Sequence, residues 1–176
     1  MRFETARLTV RPLQQSDLTD VYQSRKNPDT SKYIGDPATI EDAKLRIKEA
    51  TLPWQVIDHQ KMMLAIRCKT TNQFIGELLF KFTQKQCHIG EIGYRLSPLH
   101  LSQGYAFEAA SMFISHLFEQ FELNKVVAVC AINNIASWRL MEKLGMRREG
   151  ELRDNMYLQG SYHDSFLYSI LRRELQ

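Results

Sequence analysis

The chain has 176 residues, of which 44% are hydrophobic and 24% charged, with eight glycines and five prolines. This length and composition predict one packed domain over residues 1–176 and exclude the disordered and fibrous classes. The formal charge of +3 is small, and the Lys and Arg residues are spread along the chain, so no nucleic-acid partner is expected.

Cellular location and redox state are inferred from patterns that the sequence lacks. Residues 1–7 have no apolar run of the signal-peptide kind, and no stretch reaches the roughly 20 apolar residues of a membrane span. We therefore expect a cytoplasmic protein without a membrane partner. Cys68, Cys87 and Cys130 form no close-spaced pair, which predicts reduced, mostly buried thiols and neither a zinc motif nor a disulfide framework.

The chain begins with a predicted strand and two predicted helices. Polar and apolar residues alternate over 7–11, which is typical of a strand. Ser16 and Asp17 have the chemistry of helix N-caps, and the helix that follows them ends in a turn at 27–29. Apolar residues at helical spacing then predict a second helix over 40–51.

A meander of three strands and a long helix come next. The strands are predicted over 62–67, 74–82 and 89–96, and the polar segment 69–73 is a hairpin loop between the first two. Apolar residues between 106 and 121 recur on one stripe, which predicts a helix that packs on the sheet.

The last third of the chain contains three more predicted strands and a short helix. The apolar run 126–131 is typical of a strand buried on both faces beside parallel neighbours. A helix is predicted over 137–144, and Gly145 suits a left-handed C-cap. Two strands, 147–153 and 163–171, are expected to complete the sheet.

A glycine at the start of the long helix indicates an anion site. The first N–H groups of a helix have no partner within it and carry partial positive charge, so a pyrophosphate fits there without a metal ion. Gly104 lets the backbone approach the phosphates, and Ala106 keeps the first turn uncrowded. A tight turn alone also explains a glycine at this position, and this alternative stays open.

Three motifs stand in a fixed order across the second half of the chain. They are Ile92-Gly93-Tyr94, then Gly104-Tyr105-Ala106 with Glu108-Ala109, then Asn134-Ile135-Ala136-Ser137 with Glu142-Lys143-Leu144-Gly145-Met146. This series resembles the GNAT acetyltransferase superfamily, and more narrowly its branch of ribosomal-protein N-terminal acetyltransferases. Segments 5–8, 11–13 and 160–164 also match the habits of that branch, so the resemblance covers nearly the whole chain.

The resemblance implies a fold and an activity. The expected fold is α/β (α+β), with a central, mostly antiparallel mixed sheet of six to seven strands, flanked by about four helices and splayed at the cofactor cleft between 89–96 and 126–131. The expected reaction is direct attack of a primary amine on acetyl-CoA without a metal. The acceptor would be a protein N-terminal amine or a small-molecule amine such as a polyamine.

The resemblance also implies the residues that hold the cofactor. The backbone of Tyr94, Arg95 and Leu96 would hold the pantetheine amides, and Asn134 would contact the pantetheine arm. The pyrophosphate would lie on Leu101, Ser102, Gln103, Gly104, Tyr105 and Ala106. The chain departs from the family pattern at Leu101 and Ser102, where the branch often has Trp and Gly.

Three residues are candidates for catalysis, each with a structural alternative. The resemblance places Ser137 near the thioester sulfur, where its hydroxyl could donate a proton to the leaving group, but a serine there also suits a helix cap. Glu91 and Glu77 lie on neighbouring strands and could act as general bases if burial raises their pKa values. A solvated or ion-paired carboxylate is the plainer interpretation of each.

Two rival functions stay open at this point. One is a catalytically silent acetyl-CoA sensor or interaction module of the same fold, and the other is a fold relative that has lost cofactor binding. Acidic residues early in the chain would suit a cationic acceptor, although a solvated helix face explains them equally well; they are Asp17, Asp20, Asp36, Glu41 and Asp42. A homodimer is also open, because exposed edge strands can pair between subunits.

Overall fold

A computed structural model describes residues 1–175, and eight strands in it form one sheet. The strands are β1 (Phe3–Glu4), β2 (Leu8–Pro12), β3 (Met62–Cys68), β4 (Phe74–Gln84), β5 (Ile89–Leu96), β6 (Lys125–Ala131), β7 (Arg147–Leu158) and β8 (Ser161–Leu171). The helices are α1 (Leu18–Arg25), α2 (Pro28–Ser31), α3 (Ile40–Thr51), α4 (Tyr105–Gln120) and α5 (Ile135–Lys143). In the sheet the strands lie in the order β1-β2-β3-β4-β5-β6-β8-β7.

The mixed α/β fold with a mostly antiparallel sheet is confirmed, and every predicted strand and helix is present. The sheet has one strand more than expected and the described chain one helix more, because β1 and α2 span two and four residues, too few for a periodic pattern. The final hairpin is longer than predicted, since β7 continues to Leu158 and β8 begins at Ser161. Helix α5 begins at Ile135 and not at Ser137, because Asn134 is its N-cap.

Two apolar clusters cover opposite faces of the sheet. Successive side chains of a strand point to opposite faces, and β3 shows this directly. Leu64 and Ile66 belong to a large cluster with α4 and α5, whereas Met63 and Ala65 belong to a smaller cluster with α1 and α3. We call these two faces the α4–α5 side and the α1–α3 side.

The sheet opens between β5 and β6. Within residues 1–175 these are the only strands that pair in parallel, and their register covers only Ile89, Gly90 and Glu91 of β5. Beyond Glu91 the two strands diverge, so the rest of β5 has no partner on that edge. The other neighbour of β6 is the antiparallel β8, so the prediction of parallel neighbours holds for β5 and is wrong for β8: an apolar run reports burial but not strand direction.

Asp17 does not cap α1 with its side chain, contrary to the prediction. Its fully buried carboxylate accepts hydrogen bonds from Arg11 at 2.7 Å, from Arg67 at 2.6 Å and from the Gln14 backbone N–H at 2.8 Å. Burial alone would raise the pKa of Asp17, but the two guanidinium groups outweigh it and lower that pKa. Arg67 also holds Asp20 at 2.6 Å, so neither acid is free to receive a cationic acceptor.

All three cysteines are free thiols, but only Cys130 is buried. Cys87 is exposed and Cys68 is partly exposed, so the expectation of mostly buried thiols was wrong for two of the three. Cys68 is the last residue of β3, and Cys87 lies in a short 3-10 turn between β4 and β5, where the apolar pattern of a strand no longer predicts burial. Among residues 1–175, no helix has the length and apolar character needed to cross a membrane.

Candidate active site

A cavity of about 650 Å³ lies where β5 and β6 diverge. Its lining includes Tyr94 and Arg95, which are consecutive residues of β5 and so face opposite sides of the sheet. Tyr94 contacts α5 on the α4–α5 side, and Arg95 contacts α1 and α2 on the α1–α3 side. The cavity therefore connects the two faces of the sheet through its opening.

The start of α4 forms one wall of this cavity. Gly104, at the N-cap, has a left-handed backbone with φ of +80°, and no side chain caps the helix. Within residues 1–175 the N–H groups of Tyr105, Ala106 and Phe107 have no hydrogen-bond acceptor. These unpaired donors and the helix dipole favour a negative charge at such a terminus. This end of the cavity is therefore suited to a phosphate.

Ser102, just before this helix, also has a left-handed backbone, with φ of +59°. A residue with a Cβ adopts this conformation at a cost of about 1–2 kcal/mol, whereas glycine does so freely. The departure from glycine noted in the sequence thus falls where the loop requires a left-handed turn. The loop keeps its shape with serine, at some cost in stability.

Arg7 fixes the loop that leads into α4. Its Nη1 donates to the Gln103 carbonyl at 3.2 Å, its Nε donates to Glu108 at 2.6 Å, and its guanidinium lies 4.3 Å from the centre of the Tyr105 ring. The charge of Arg7 is balanced by that of Glu108, so its contribution is to order the loop beside the free N–H groups. Sequence reasoning did not single it out, although it lies in the segment 5–8 that contributed to the family resemblance.

Tyr94 and Ser137 meet across the opening between β5 and α5. The Tyr94 hydroxyl lies 3.0 Å from both the Oγ and the carbonyl oxygen of Ser137. Burial raises the pKa of Tyr94 well above its ordinary value, so its hydroxyl keeps its proton at neutral pH. The side chain of Asn134 caps α5 by accepting from the Ser137 N–H at 3.3 Å. Capping is thus done by Asn134, and the Ser137 hydroxyl is left for other bonds.

Glu77 lies on the α1–α3 side and is almost fully buried. Its two carboxylate oxygens accept hydrogen bonds from the Nε of Arg25 at 2.7 Å and from the Nε of Arg46 at 2.6 Å. Burial would raise the pKa of Glu77, but the two guanidinium groups outweigh it and lower that pKa. An ionised carboxylate held this way is a weak proton acceptor, so the raised pKa that a general base would need is not found.

Glu91 lies outside the cavity, although it faces the same side of the sheet as Arg95. It pairs across the strands with Lys81, whose Nζ is 3.1 Å from its carboxylate. Four residues separate it from Arg95 along β5, or about 13 Å of extended chain. Glu91 is therefore an ion-paired strand carboxylate, which was the alternative to a general base in the sequence analysis.

Most of the predicted site residues line the cavity together. They are Glu77, Tyr94, Arg95, Leu96, Leu101, Ser102, Gly104, Ala106, Asn134 and Ser137. Glu91, Gln103 and Tyr105 are not in the lining. Arg25 and Arg46 line it as well, and sequence reasoning missed both because an isolated Arg on a helix carries no signal of its own. No group of three or more His, Cys, Asp or Glu side chains is placed to hold a metal within the described chain.

The fold and the cavity define a class of protein. An opening between two parallel strands, an uncapped helix start and a hydroxyl pair lie together along one cavity. Residues 7–147 match the family model described as the acetyltransferase (GNAT) domain. The chain belongs to this family and is an acetyl-CoA-dependent acyltransferase.

The relatives support the same assignment. The chain is 30% identical over 171 residues to the uncharacterized N-acetyltransferase YoaA of Bacillus subtilis (strain 168), covering 96% of each chain. It is 30% identical over 98 residues to the ribosomal-protein-serine acetyltransferase of Escherichia coli (strain K12), covering 56% of this chain and 55% of the relative. The resemblance to the ribosomal-protein branch is therefore supported.

Solved structures share the fold over the full length. The crystal structure of a GNAT-family acetyltransferase from Bacillus anthracis superposes with a TM-score of 0.87 at 27% identity, covering 99% of this chain and 100% of that one. The spermidine N-acetyltransferase of Vibrio cholerae, in complex with CoA and spermine, gives a TM-score of 0.82 at 19% identity over 96% and 97% of the two chains. At that identity the second likeness concerns the fold alone.

Proposed function

We propose that the protein transfers the acetyl group of acetyl-CoA to a primary amine by direct attack inside the cavity between β5 and β6. The observation that carries this proposal is the opening itself. Past Glu91 the sheet gives access to both faces, with the uncapped start of α4 on one side and a polar pocket on the other. Two substrates can thus meet at the strand edge from opposite directions.

The residues on the α4–α5 side fit acetyl-CoA. The edge of β5 over residues 92–96 has no strand partner toward β6, and free backbone N–H and C=O groups there can pair with the amides of pantetheine. The N–H groups of Tyr105, Ala106 and Phe107 would hold the pyrophosphate, with Arg7 beside them. Acetyl-CoA supplies an acyl group that is already activated as a thioester.

Ser137, held by Tyr94, would donate a hydrogen bond to the departing sulfur, while the C–S bond breaks and the proton that the attacking amine nitrogen loses ends on the coenzyme A thiolate. When the single Tyr94 hydroxyl hydrogen is shared between the carbonyl oxygen and the Oγ of Ser137, the Ser137 hydroxyl hydrogen is free to point into the cavity. A positioned donor at a developing negative charge contributes about a hundredfold to a thousandfold in rate. The raised pKa of Tyr94 keeps that hydroxyl a donor throughout the neutral range.

The lack of a well-placed general base bears on the acceptor. Neither Glu77, held by two guanidinium groups, nor Glu91, paired with Lys81, suits that role. The amine must then enter in its neutral form. At pH 7 about 14% of an α-amino group of pKa about 7.8 is neutral, against about 0.04% of an alkylamine of pKa about 10.4. This favours a protein or peptide N-terminal amine over a polyamine.

The test is release of the coenzyme A thiol from acetyl-CoA with purified protein across N-terminal peptides, polyamines and other small amines. We expect turnover with α-amines, and mass spectrometry should find a single acetyl group on the amine nitrogen. Tight acetyl-CoA binding with no acetylated product from any amine would instead support the sensor function.

A further inference from the structure

The α1–α3 side of the cavity carries more positive charge than its own acids neutralise. Three guanidinium groups, those of Arg25, Arg46 and Arg95, surround the single buried carboxylate of Glu77. Their sum leaves two positive charges at the bottom of this pocket. Asp29, the other acid in the lining, is exposed on α2.

The guanidinium groups of Arg25 and Arg46 keep most of their donors. Each uses only its Nε on Glu77, and within residues 1–175 their Nη groups donate to no acceptor. Both side chains are mostly buried, with exposed fractions of 19% and 15%. The free Nη groups of both side chains therefore border one cavity. Paired N–H donors of a guanidinium match the two oxygens of a carboxylate.

Arg95 is more deeply placed, with only 8% of its surface exposed. Its Nη2 donates to the Ser24 carbonyl and to the hydroxyls of Thr30 and Ser31, the last at 2.7 Å. Its Nε is buried without any acceptor. Burial, together with the nearby charge of Arg25, lowers the pKa of Arg95 to about 10. A buried charge with an orphan donor is costly unless a partner is supplied.

The position of this cluster relates it to the reacting groups. Arg95 directly follows Tyr94 on β5 and points to the other side of the sheet, so the arginine cluster and the Tyr94–Ser137 pair line the same cavity from opposite faces. An acceptor entering from the α1–α3 side brings its amine to the opening while the atoms a few bonds away lie beside the guanidinium groups. A cationic acceptor would meet repulsion there.

We propose that the acceptor amine carries a carboxylate, which binds to the cluster of Arg25, Arg46 and Arg95 while the amine reaches the opening of the sheet. The proposal rests on the proposed function and narrows its substrate class. Two sources offer this chemistry: the α-carboxylate of a free amino acid, or an acidic side chain next to a peptide N-terminus.

Matched acceptors test the proposal with the wild-type protein. Alanine is compared with alaninamide, and the peptide Ala-Asp-Ala-amide with Ala-Asn-Ala-amide, by kcat/KM in the thiol-release assay. Each kcat/KM is calculated for the neutral amine, because the carboxylate of free alanine makes its amine more basic than that of alaninamide. We expect the carboxylate member of at least one pair to be favoured by about tenfold to a hundredfold, as one or two charge-assisted hydrogen bonds imply. The pair that shows the preference identifies the source. Equal rates within both pairs, or faster reaction with spermidine than with any carboxylate, would overturn the proposal.

Variants connect the preference to the cluster. In Arg46→Gln and Arg25→Gln, the ratio of kcat/KM for the carboxylate acceptor to that for its neutral partner should fall toward one, mainly through KM. Arg46→Lys should keep part of this preference. Arg173→Gln is the matched control, since Arg173 is exposed and makes no ion pair within the described chain. If a variant melts at a much lower temperature, the wild-type comparison remains the deciding measurement.

Binding of the two N-acetylated products separates this inference from the proposed function, because it needs no turnover. Titration calorimetry in the presence of coenzyme A should show N-acetylalanine binding at least tenfold more tightly than N-acetylalaninamide if the free amino acid is the source, and the same ratio for the acetylated peptides otherwise. Turnover without discrimination in either pair would refute the anion site and leave the acetyltransferase function standing. Tighter binding of the carboxylate member without turnover of any amine would support the anion site and refute the acetyltransferase function.

Discussion

Replacing Ser137 by alanine separates catalysis from capping. The N-cap of α5 is Asn134, whose side chain accepts from the Ser137 backbone N–H, and this bond does not need the Ser137 hydroxyl. Within residues 1–175 the hydroxyl lies 3.0 Å from that of Tyr94 and also interacts with the Cys130 thiol. Loss of one such bond lowers the free energy of unfolding by about 0.5–1.5 kcal/mol, which leaves the fold intact.

The expected loss of activity is larger. If the Ser137 hydroxyl donates to the departing sulfur, its removal should lower kcat by about 10²-fold, or about 2.7 kcal/mol of transition-state stabilisation. The KM for acetyl-CoA should change by less than about threefold, because the proposed phosphate site on α4 and the backbone of β5 are untouched.

The assay is thiol release at saturating acetyl-CoA and saturating acceptor, with melting temperatures measured alongside. Ser115→Ala is a matched control, since its Oγ makes one side-chain hydrogen bond, to the Ser111 carbonyl at 3.3 Å on α4. Full kcat in Ser137→Ala would refute the assigned role. A fall that the Ser115 variant shares would trace to stability alone.

Three further predictions concern other parts of the molecule. Glu91→Gln should keep at least half of the wild-type kcat, because Glu91 faces Lys81 outside the cavity; a drop of tenfold or more would restore it as a base. Asp17 and Glu77 have folded pKa values below their ordinary values of 3.8 and 4.5, so their stabilisation is complete above about pH 4.5 and is lost as the pH falls below that range. Melting temperatures measured from pH 7 to pH 3 should decline at the acid end, and less steeply in Asp17→Asn; equal slopes would contradict the argument. Ser102→Gly should raise the free energy of unfolding by about 0.5–1 kcal/mol in urea titration, because glycine relieves the left-handed φ of +59°, and a decrease would show that the serine is unstrained.

The sequence predicted the strands and helices that have a clear period. The stripe of α4 and the alternation along β3 and β4 are repeated over enough residues to be recognised. β1 and α2 are too short for this, and the apolar run of β6 could not tell a parallel neighbour from an antiparallel one. Asp17 looked like a helix cap because caps are local, whereas its partner Arg67 lies 50 residues away.

The candidate site also has one part that the sequence could predict and one part that it could not. The half that we propose to bind acetyl-CoA lies in continuous segments around Gly104 and Ser137, so a single sequence could point to it. The arginine cluster is assembled from three distant positions: Arg25 is 52 residues from Glu77, and Arg46 is 31. Only the packing of α1 and α3 against β4 brings these residues together, and no local sequence pattern predicts this packing.

The opening between β5 and β6 has a consequence for the order of events. Each face of the sheet has its own entrance to the same strand edge. In the proposed direct transfer, both substrates can therefore be bound at once, and no covalent acyl-enzyme has to form. Steady-state velocities should therefore give intersecting lines in double-reciprocal plots. A bisubstrate inhibitor that joined a coenzyme A fragment to a carboxylate-bearing amine would pass through the opening between β5 and β6. It would bind far more tightly than either half alone.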